Sequence, residues 1–231
     1  MYRHLDSEKI VQTIELLDRR IRERFPESGL AKVSAELLKT GQESKDRSRW
    51  VARPHWELRF LLWFLVVLMA VSLVLAFLRL DLQAHPLTFG EFVQVLESGI
   101  NDIVFLGAGV FFLVTIETRI KRNRVLSLIH QLRAIAHVID MHQLPKDPET
   151  LEEDYLQTSS SPQRRMTAFE LQRYLDYCSE MLAMIGKIAA LYVQDFEDTE
   201  AVESVNEIEV LTTGLSRKIW QKIMTLQSYR G

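Results

Sequence analysis

Residues 60–78 read Phe60-Leu-Leu-Trp-Phe-Leu-Val-Val-Leu-Met-Ala-Val-Ser-Leu-Val-Leu-Ala-Phe-Leu78, which is nineteen consecutive residues without a charge. As an α-helix with a rise of about 1.5 Å per residue, this stretch is roughly 28 Å long, close to the hydrocarbon thickness of a bilayer. Fourteen of the nineteen residues are Leu, Val or Phe, which favour insertion into a bilayer. A chain of 231 residues cannot easily bury such a helix on every side. The stretch therefore predicts a membrane span.

A second apolar stretch predicts another span at residues 98–118. Its charge-free part, Ile103 to Ile116, has only 14 residues and is too short to cross a bilayer by itself. Asn101 and Asp102 lie near one end and Glu117 lies at the other, where polar side chains can reach the interface. With these ends included, the two stretches predict a transmembrane helical hairpin.

The charges beside the two stretches predict their orientation. Six basic residues lie between residues 39 and 59, and five lie between 119 and 133 with no acidic residue among them. The connection between the stretches has one basic residue, Arg79, against Asp81, Glu91, Glu97 and Asp102. The positive-inside rule then places both termini in the cytoplasm and the connecting loop outside a cell membrane. The basic residues nearest the membrane are candidates for contact with anionic lipid headgroups, namely Arg53, Arg59, Arg119, Lys121, Arg122 and Arg124.

The rest of the chain predicts helices. Ile10, Ile14, Leu17 and Ile21 recur at helical spacing after a candidate N-cap at Asp6 or Ser7. Two helices near the C-terminus are joined by a short acidic turn, which is typical of an antiparallel helical hairpin. The predicted fold is all-α, and its segments are an N-terminal cytoplasmic helical pair (1–42), a basic juxtamembrane linker (43–59), the first transmembrane helix (60–78), a short extracytoplasmic loop (79–97), the second transmembrane helix (98–118), a cytoplasmic helix that continues from it (119–144), a linker (145–165) and a C-terminal helical hairpin (166–231).

Composition limits the classes of function. The net charge of −3 argues against nucleic-acid binding, which usually requires a strongly basic domain. The single cysteine, Cys178, excludes an intramolecular disulfide and a cysteine-based zinc site within one chain. The mean hydropathy is only −0.02 because the charged helices offset the apolar stretches. The hydropathy of this chain is therefore informative only segment by segment.

No motif predicts an enzyme, a cofactor or a metal site. His130 and His137 are seven residues apart on one helix, close to Asp140 and His142, and a metal could use such groups. Ordinary hydrogen bonding is the simpler interpretation of this weak spacing. The acidic turn at 195–199 could chelate a hard cation, but acidic residues there also favour the start of the next helix. Cys178 lies on the core face of its helix, so we predict a buried hydrophobe.

Small and polar residues lie on one side of the second stretch. Asn101, Ala108 and Thr115 are spaced by seven residues, with Asp102 and Gly109 on the adjoining strip. Such residues allow helices to approach closely and to hydrogen-bond within a membrane. We expect this side to pack against another helix or to face water in a pore. Because the first stretch has few small residues, contact with a second copy is favoured.

Together these patterns predict an integral membrane protein with mainly cytoplasmic helical regions. We expect it to act as a self-associating interaction or signalling subunit, with the lipid bilayer and a cytoplasmic protein among its partners. The alternative is a small oligomeric channel or membrane-perturbing effector in which the second span lines the pore.

Overall fold

The computed structural model describes residues 4–53, 56–79, 89–151, 158–160 and 166–228, and nearly all of them are helical. No strand occurs among these residues, so the predicted all-α class is confirmed. The chain forms two units, which we call the core unit (Met1–Ala52 and Arg122–Gly231) and the apolar unit (Arg53–Lys121). The helices are α1 (Ser7–Arg24), α2 (Gly29–Ala52), α3 (Trp56–Arg79), α4 (Phe89–Gln143), α5 (Ala168–Val193) and α6 (Thr199–Ser228), with a 3-10 helix at Pro148–Leu151.

The core unit has an apolar interior built around α5. Helix α1 packs against α2, both pack against α5, and α5 packs against α6. The fully buried side chains of α5 include Leu175, Cys178, Met181, Leu182, Ile185 and Ala189. Helix α4 adds Val125, Leu132, Ala136 and Ile139 to the same cluster. Removal of these apolar side chains from water is the main stabilising contribution in this unit.

Helix α1 follows its sequence pattern. The four residues at helical spacing, Ile10, Ile14, Leu17 and Ile21, are all buried against the core. Asp6 is the N-cap, and its Oδ1 accepts from the backbone N–H groups of Glu8 at 2.9 Å and Lys9 at 3.3 Å. These bonds satisfy two of the amide groups that the first turn leaves without a partner. The predicted helix and one of its two candidate caps are thus confirmed.

Helix α2 is longer than the sequence analysis predicted. Residues 43–52, assigned there to the linker 43–59, are the last turns of α2, and α3 begins at Trp56. This segment buries a narrow face of small and apolar residues, since Ser44 is fully buried and Val51 is only 1% exposed. A Cβ atom placed on Gly41 would lie 2.9 Å from Cδ1 of Ile14, so the glycine lets α1 and α2 approach closely. Because most residues of this segment are polar, its composition did not indicate the buried face.

Helix α4 is a single helix of 55 residues. It begins at Phe89, so residues 89–97 of the predicted extracytoplasmic loop 79–97 are helical and run directly into the second apolar stretch. Residues 80–88 lie outside the described residues. The sequence contains no proline between Pro86 and Pro145, and α4 ends two residues before Pro145. Four glycines within it each weaken the helix by about 1 kcal/mol relative to alanine, but they do not interrupt it.

The C-terminal part of the core unit begins after the predicted linker 145–165. Within that linker, residues 148–151 form the 3-10 helix, whereas 152–157 and 161–165 lie outside the described residues. Helix α5 starts with a capping box, in which the Thr167 hydroxyl accepts from the Glu170 N–H at 3.2 Å and the Glu170 carboxylate accepts from the Thr167 N–H at 2.8 Å. This reciprocal pair fixes the first turn of α5.

Candidate functional site

The apolar unit contains α3 and the first part of α4, and both expose apolar side chains. Two helices of the chain are long and apolar enough to cross a membrane, and within their most apolar stretches only 0% and 6% of the residues are buried. Phe60 of α3 is 75% exposed and Phe105 of α4 is 77% exposed. The core helix of a soluble protein would bury most of such side chains. The apolar unit therefore carries an apolar surface that the described residues do not cover.

A partly open cavity of about 160 Å³ lies between α3 and α4, within the apolar unit. Its α4 wall follows one helical face, because the lining residues recur at intervals of three or four positions. Asp102 is the one charged residue in this lining. The lining residues are Leu62, Leu65 and Met69 of α3 and Asp102, Phe105, Leu106, Gly109, Val110 and Leu113 of α4.

The structure separates the two strips that the sequence analysis placed on one side of α4. Asp102 and Gly109 line the cavity next to α3. Asn101, Ala108 and Thr115 are exposed. Successive residues of an α-helix are rotated by about 100° from each other, so adjoining strips can have different surroundings. The exposed strip is free for contact with another molecule, whereas the other two residues are partly buried beside the cavity.

Hydroxyl groups in the apolar unit bond to the backbone of their own helix. Thr115 Oγ1 donates to the Phe111 carbonyl at 2.7 Å, and Ser72 Oγ donates to the Met69 carbonyl at 2.9 Å. These bonds lower the cost of placing a hydroxyl in an apolar environment. Among the described residues, no side chain lies within hydrogen-bond or ion-pair distance of the Asp102 carboxylate. Asp102 thus differs from Ser72 and Thr115, whose hydroxyl groups each have a partner.

A cluster of three charges joins α3 to α4 beyond the cavity. The Glu117 carboxylate lies 2.8 Å from Lys121 Nζ and 3.6 Å from Arg59 Nη2. Glu117 and Lys121 are about one turn apart on α4, and both side chains are less than one fifth exposed. The pairing of Arg59, near the start of α3, with Glu117 indicates that the two helices run antiparallel. The four-residue spacing of Glu117 and Lys121 is the sequence signal from which this pair could be predicted.

The six candidates for lipid-headgroup contact lie in four kinds of environment. Arg59 and Lys121 belong to the Glu117 cluster. Arg124 Nη1 donates to the Trp50 carbonyl at 3.1 Å, and its guanidinium lies 4.1 Å from the centre of the Trp50 ring. Arg53 and Arg119 are exposed, and Arg122 is bound to carboxylates of the core unit. Arg53, Arg119 and Arg59, whose side chain is 54% exposed, are therefore the best placed for headgroup contact, which stays a prediction.

Arg122 holds the N-terminus of α6 to α4. Its guanidinium donates to both carboxylate oxygens of Asp198, at 2.9 and 2.8 Å, and also contacts Glu200. Asp198 in turn caps α6, because its Oδ1 accepts from the Ala201 N–H at 3.0 Å. The Arg122 hydrogen bonds lower the pKa of the Asp198 carboxyl below its ordinary value, against the opposing effect of partial burial. The acidic turn thus favours the start of the next helix, as the sequence analysis preferred.

The remaining candidates do not converge on a chemical site. No group of three or more His, Cys, Asp or Glu side chains in the described part of the chain is arranged to hold a metal ion. His130 and His137 are exposed, and Asp140 accepts from Gln143 Nε2 at 2.7 Å. Cys178 is buried as predicted, and burial raises the pKa of its thiol to about 12. Such a thiol is a packing group and a poor nucleophile at neutral pH.

Lys222 is a residue that the sequence analysis missed. Its ammonium donates to the carbonyl oxygens of Gln143 at 2.8 Å and Leu144 at 3.1 Å, where α4 ends. A cation at this position satisfies carbonyls that the last helical turn leaves unpaired. Partial burial lowers the pKa of Lys222 even though Asp147 and Asp140 favour its charged form. The contact joins residues about 80 positions apart, so no local pattern predicts it.

Comparisons with known proteins give no relative for this chain. No family model, no curated protein and no solved structure matches it.

Proposed function

We propose that the chain is an integral membrane protein that crosses a cell membrane twice, through α3 and the first part of α4. Both termini lie in the cytoplasm, and the protein acts as a self-associating interaction or signalling subunit. The exposed apolar surface of the apolar unit supports this proposal most strongly. A bilayer solvates such a surface, and both stretches have internal backbone hydrogen bonds, as spanning segments must.

The distribution of charge supports the proposed orientation. Arg53 and Arg119 are exposed at the end of the apolar unit where Glu117 pairs with Arg59 and Lys121. Basic residues on this side and the acidic connection on the other fit a cytoplasmic location of both termini. The three-charge cluster further reduces the cost of carrying Glu117 at the end of a span.

Self-association is supported by the exposed strip of Asn101, Ala108 and Thr115. Small side chains let a second helix approach closely, and the Asn101 amide can bond across such an interface. These three residues face away from the cavity-lining side of α4, so α3 does not use them. A second copy in the same bilayer presents the same strip and so offers a self-complementary partner.

The channel alternative receives less support from the position of Asp102. A cation pore usually presents carboxylates to water along its axis. Asp102 lines the cavity beside α3, whereas the exposed strip carries only uncharged residues. The strip can still line a pore through its polar atoms, and a conductance measurement separates the two functions.

Substitution of Ala108 tests self-association. In Ala108→Leu the larger side chain prevents close approach, so we expect the mass in detergent, measured by light scattering, to fall to that of a smaller species. The matched control is Val110→Leu, which adds one methylene to a side chain that lines the cavity. Unchanged mass in both variants would contradict self-association through the strip. Conductance in planar bilayers that changes in Asn101→Ala would favour the channel instead.

A further inference from the structure

Asp102 is the starting point for an inference about a ligand. Its carboxylate lines a cavity whose other eight lining residues are apolar or glycine. An ionised carboxylate in an apolar environment is costly unless a cation or hydrogen-bond donors accompany it. The described residues supply neither, so a cation that enters the cavity would meet a carboxylate that no described side chain pairs.

The cavity limits the size and chemistry of that partner. Its volume is about 160 Å³, and an apolar cavity of about 150 Å³ is known to hold a benzene-sized molecule. The cavity is too small for the two acyl chains of a membrane lipid. Leu62, Leu65 and Leu106 provide an apolar wall, and the carboxylate can only accept hydrogen bonds when it is ionised. A small molecule that combines an apolar body with a cationic donor is complementary to both features.

We propose that the cavity between α3 and α4 is a binding site for a small amphiphilic amine, with the protonated amine on Asp102. The apolar body of the ligand packs against the leucine wall, and the ammonium group donates to the carboxylate. A neutral alcohol of the same length keeps the apolar contact but loses the charge-assisted bond. The proposal rests on the proposed membrane location, because the bilayer concentrates amphiphiles beside the open side of the cavity.

Gly109 provides a way to close the site without removing the charge. A Cβ atom at this position would meet no other atom within 4 Å, and the residue lines the cavity. A leucine side chain in Gly109→Leu therefore extends into the cavity and occupies the space of the ligand. Gly107→Leu is the matched control, because it makes the same substitution at an exposed glycine of the same helix that does not line the cavity.

The test is photolabelling of the full-length protein in phosphatidylcholine vesicles with an octylamine that carries a diazirine. We expect mass spectrometry to locate the label on the cavity-lining parts of α3 and α4. Excess octylamine should compete with the label. Octanol should compete at least about tenfold less well, because its neutral hydroxyl forms a weaker hydrogen bond to the carboxylate than a charged ammonium group does. Asp102→Asn should abolish this preference for the amine. Gly109→Leu should abolish the labelling, and Gly107→Leu should leave it unchanged.

Three results would overturn the assignment. The first is label spread evenly over all lipid-facing positions, and the second is equal competition by octanol. The third is loss of labelling when phosphatidylethanolamine replaces half of the phosphatidylcholine, because a lipid ammonium would then be the occupant.

The same labelling experiment in detergent micelles distinguishes failure of the ligand site from failure of the proposed membrane location. Failure of the protein to float with vesicles counts against the membrane location, whereas loss of saturable labelling in micelles counts against the site. If Asp102→Asn does not fold, Gly109→Leu still tests whether the label occupies the cavity.

Discussion

Removal of the Asp198 side chain should separate the N-terminus of α6 from α4. Asp198 accepts two hydrogen bonds from Arg122 and one from the Ala201 N–H, and its side chain is only 7% exposed. Loss of an N-cap usually costs about 1 kcal/mol. Loss of a hydrogen bond to a charged group costs about 1.5 to 3 kcal/mol, and the lower end applies because the Arg122 side chain is one third exposed. We expect Asp198→Ala to destabilise the core unit by about 2 to 3 kcal/mol.

Two further variants separate the contributions of the N-cap and of the charged contact to this loss of stability. Asp198→Asn keeps a good N-cap and removes the charge, so its cost should be about 1 kcal/mol. Glu200→Gln changes a carboxylate that is 58% exposed, and its cost should stay below about 0.5 kcal/mol. Urea unfolding of the full-length protein in detergent, followed by circular dichroism at fixed detergent concentration, measures the free energy of unfolding of all three variants. A cost for Asp198→Ala that equals the cost for Glu200→Gln would refute the role given to Asp198.

The same contact predicts a pH dependence. The Asp198 pKa is lowered in the folded protein, mainly by the Arg122 hydrogen bonds. Its contribution to stability is therefore fully present above the pKa of the unfolded chain, which is about 3.9, and is lost as the pH falls through the folded value. The difference in stability between the wild type and Asp198→Asn should be constant near neutral pH and should shrink below about pH 4. A difference that is larger in acid would contradict this assignment.

Two other predictions concern the core unit. Gly41→Ala should be less stable than Gly214→Ala by about 1 kcal/mol in the same urea assay, because a Cβ atom meets the buried Cδ1 end of Ile14 at the first position and open space at the second. Equal stability of the two variants would mean that the Ile14 side chain moves aside at no cost. Cys178 should resist iodoacetamide at pH 8 in the folded protein and react after denaturation, because burial raises the pKa of its thiol to about 12. Rapid alkylation of the native protein would show that the core is open there.

Regular patterns in the sequence predicted most of the helices. The spacing of Ile10, Ile14, Leu17 and Ile21 predicted α1, and the residues 60–78 predicted a long apolar helix, which the structure contains as part of α3. The end of α2 was predicted wrongly, because Ser44 and Val51 lie on a narrow buried face within a polar segment. Hydropathy patterns detect broad apolar faces better than such narrow ones.

The candidate site was predictable only in part. The sequence identified Asp102 and Gly109 as unusual residues of an apolar helix, but it grouped them with Asn101, Ala108 and Thr115. The position of α3 decides which strip is covered, and a tertiary contact of this kind leaves no periodic signal in the sequence. The bond between Arg122 and Asp198 joins residues 76 positions apart and is equally invisible to local patterns.

Reporter fusions measure the topology of the apolar unit directly. One reporter follows Gly231 and a second is inserted at His85, in the acidic connection between the two apolar stretches. Two membrane spans with both termini in the cytoplasm require the Gly231 reporter to be active on the cytoplasmic side and the His85 reporter on the opposite side. Reporters that are active on the same side would contradict the two-span hairpin.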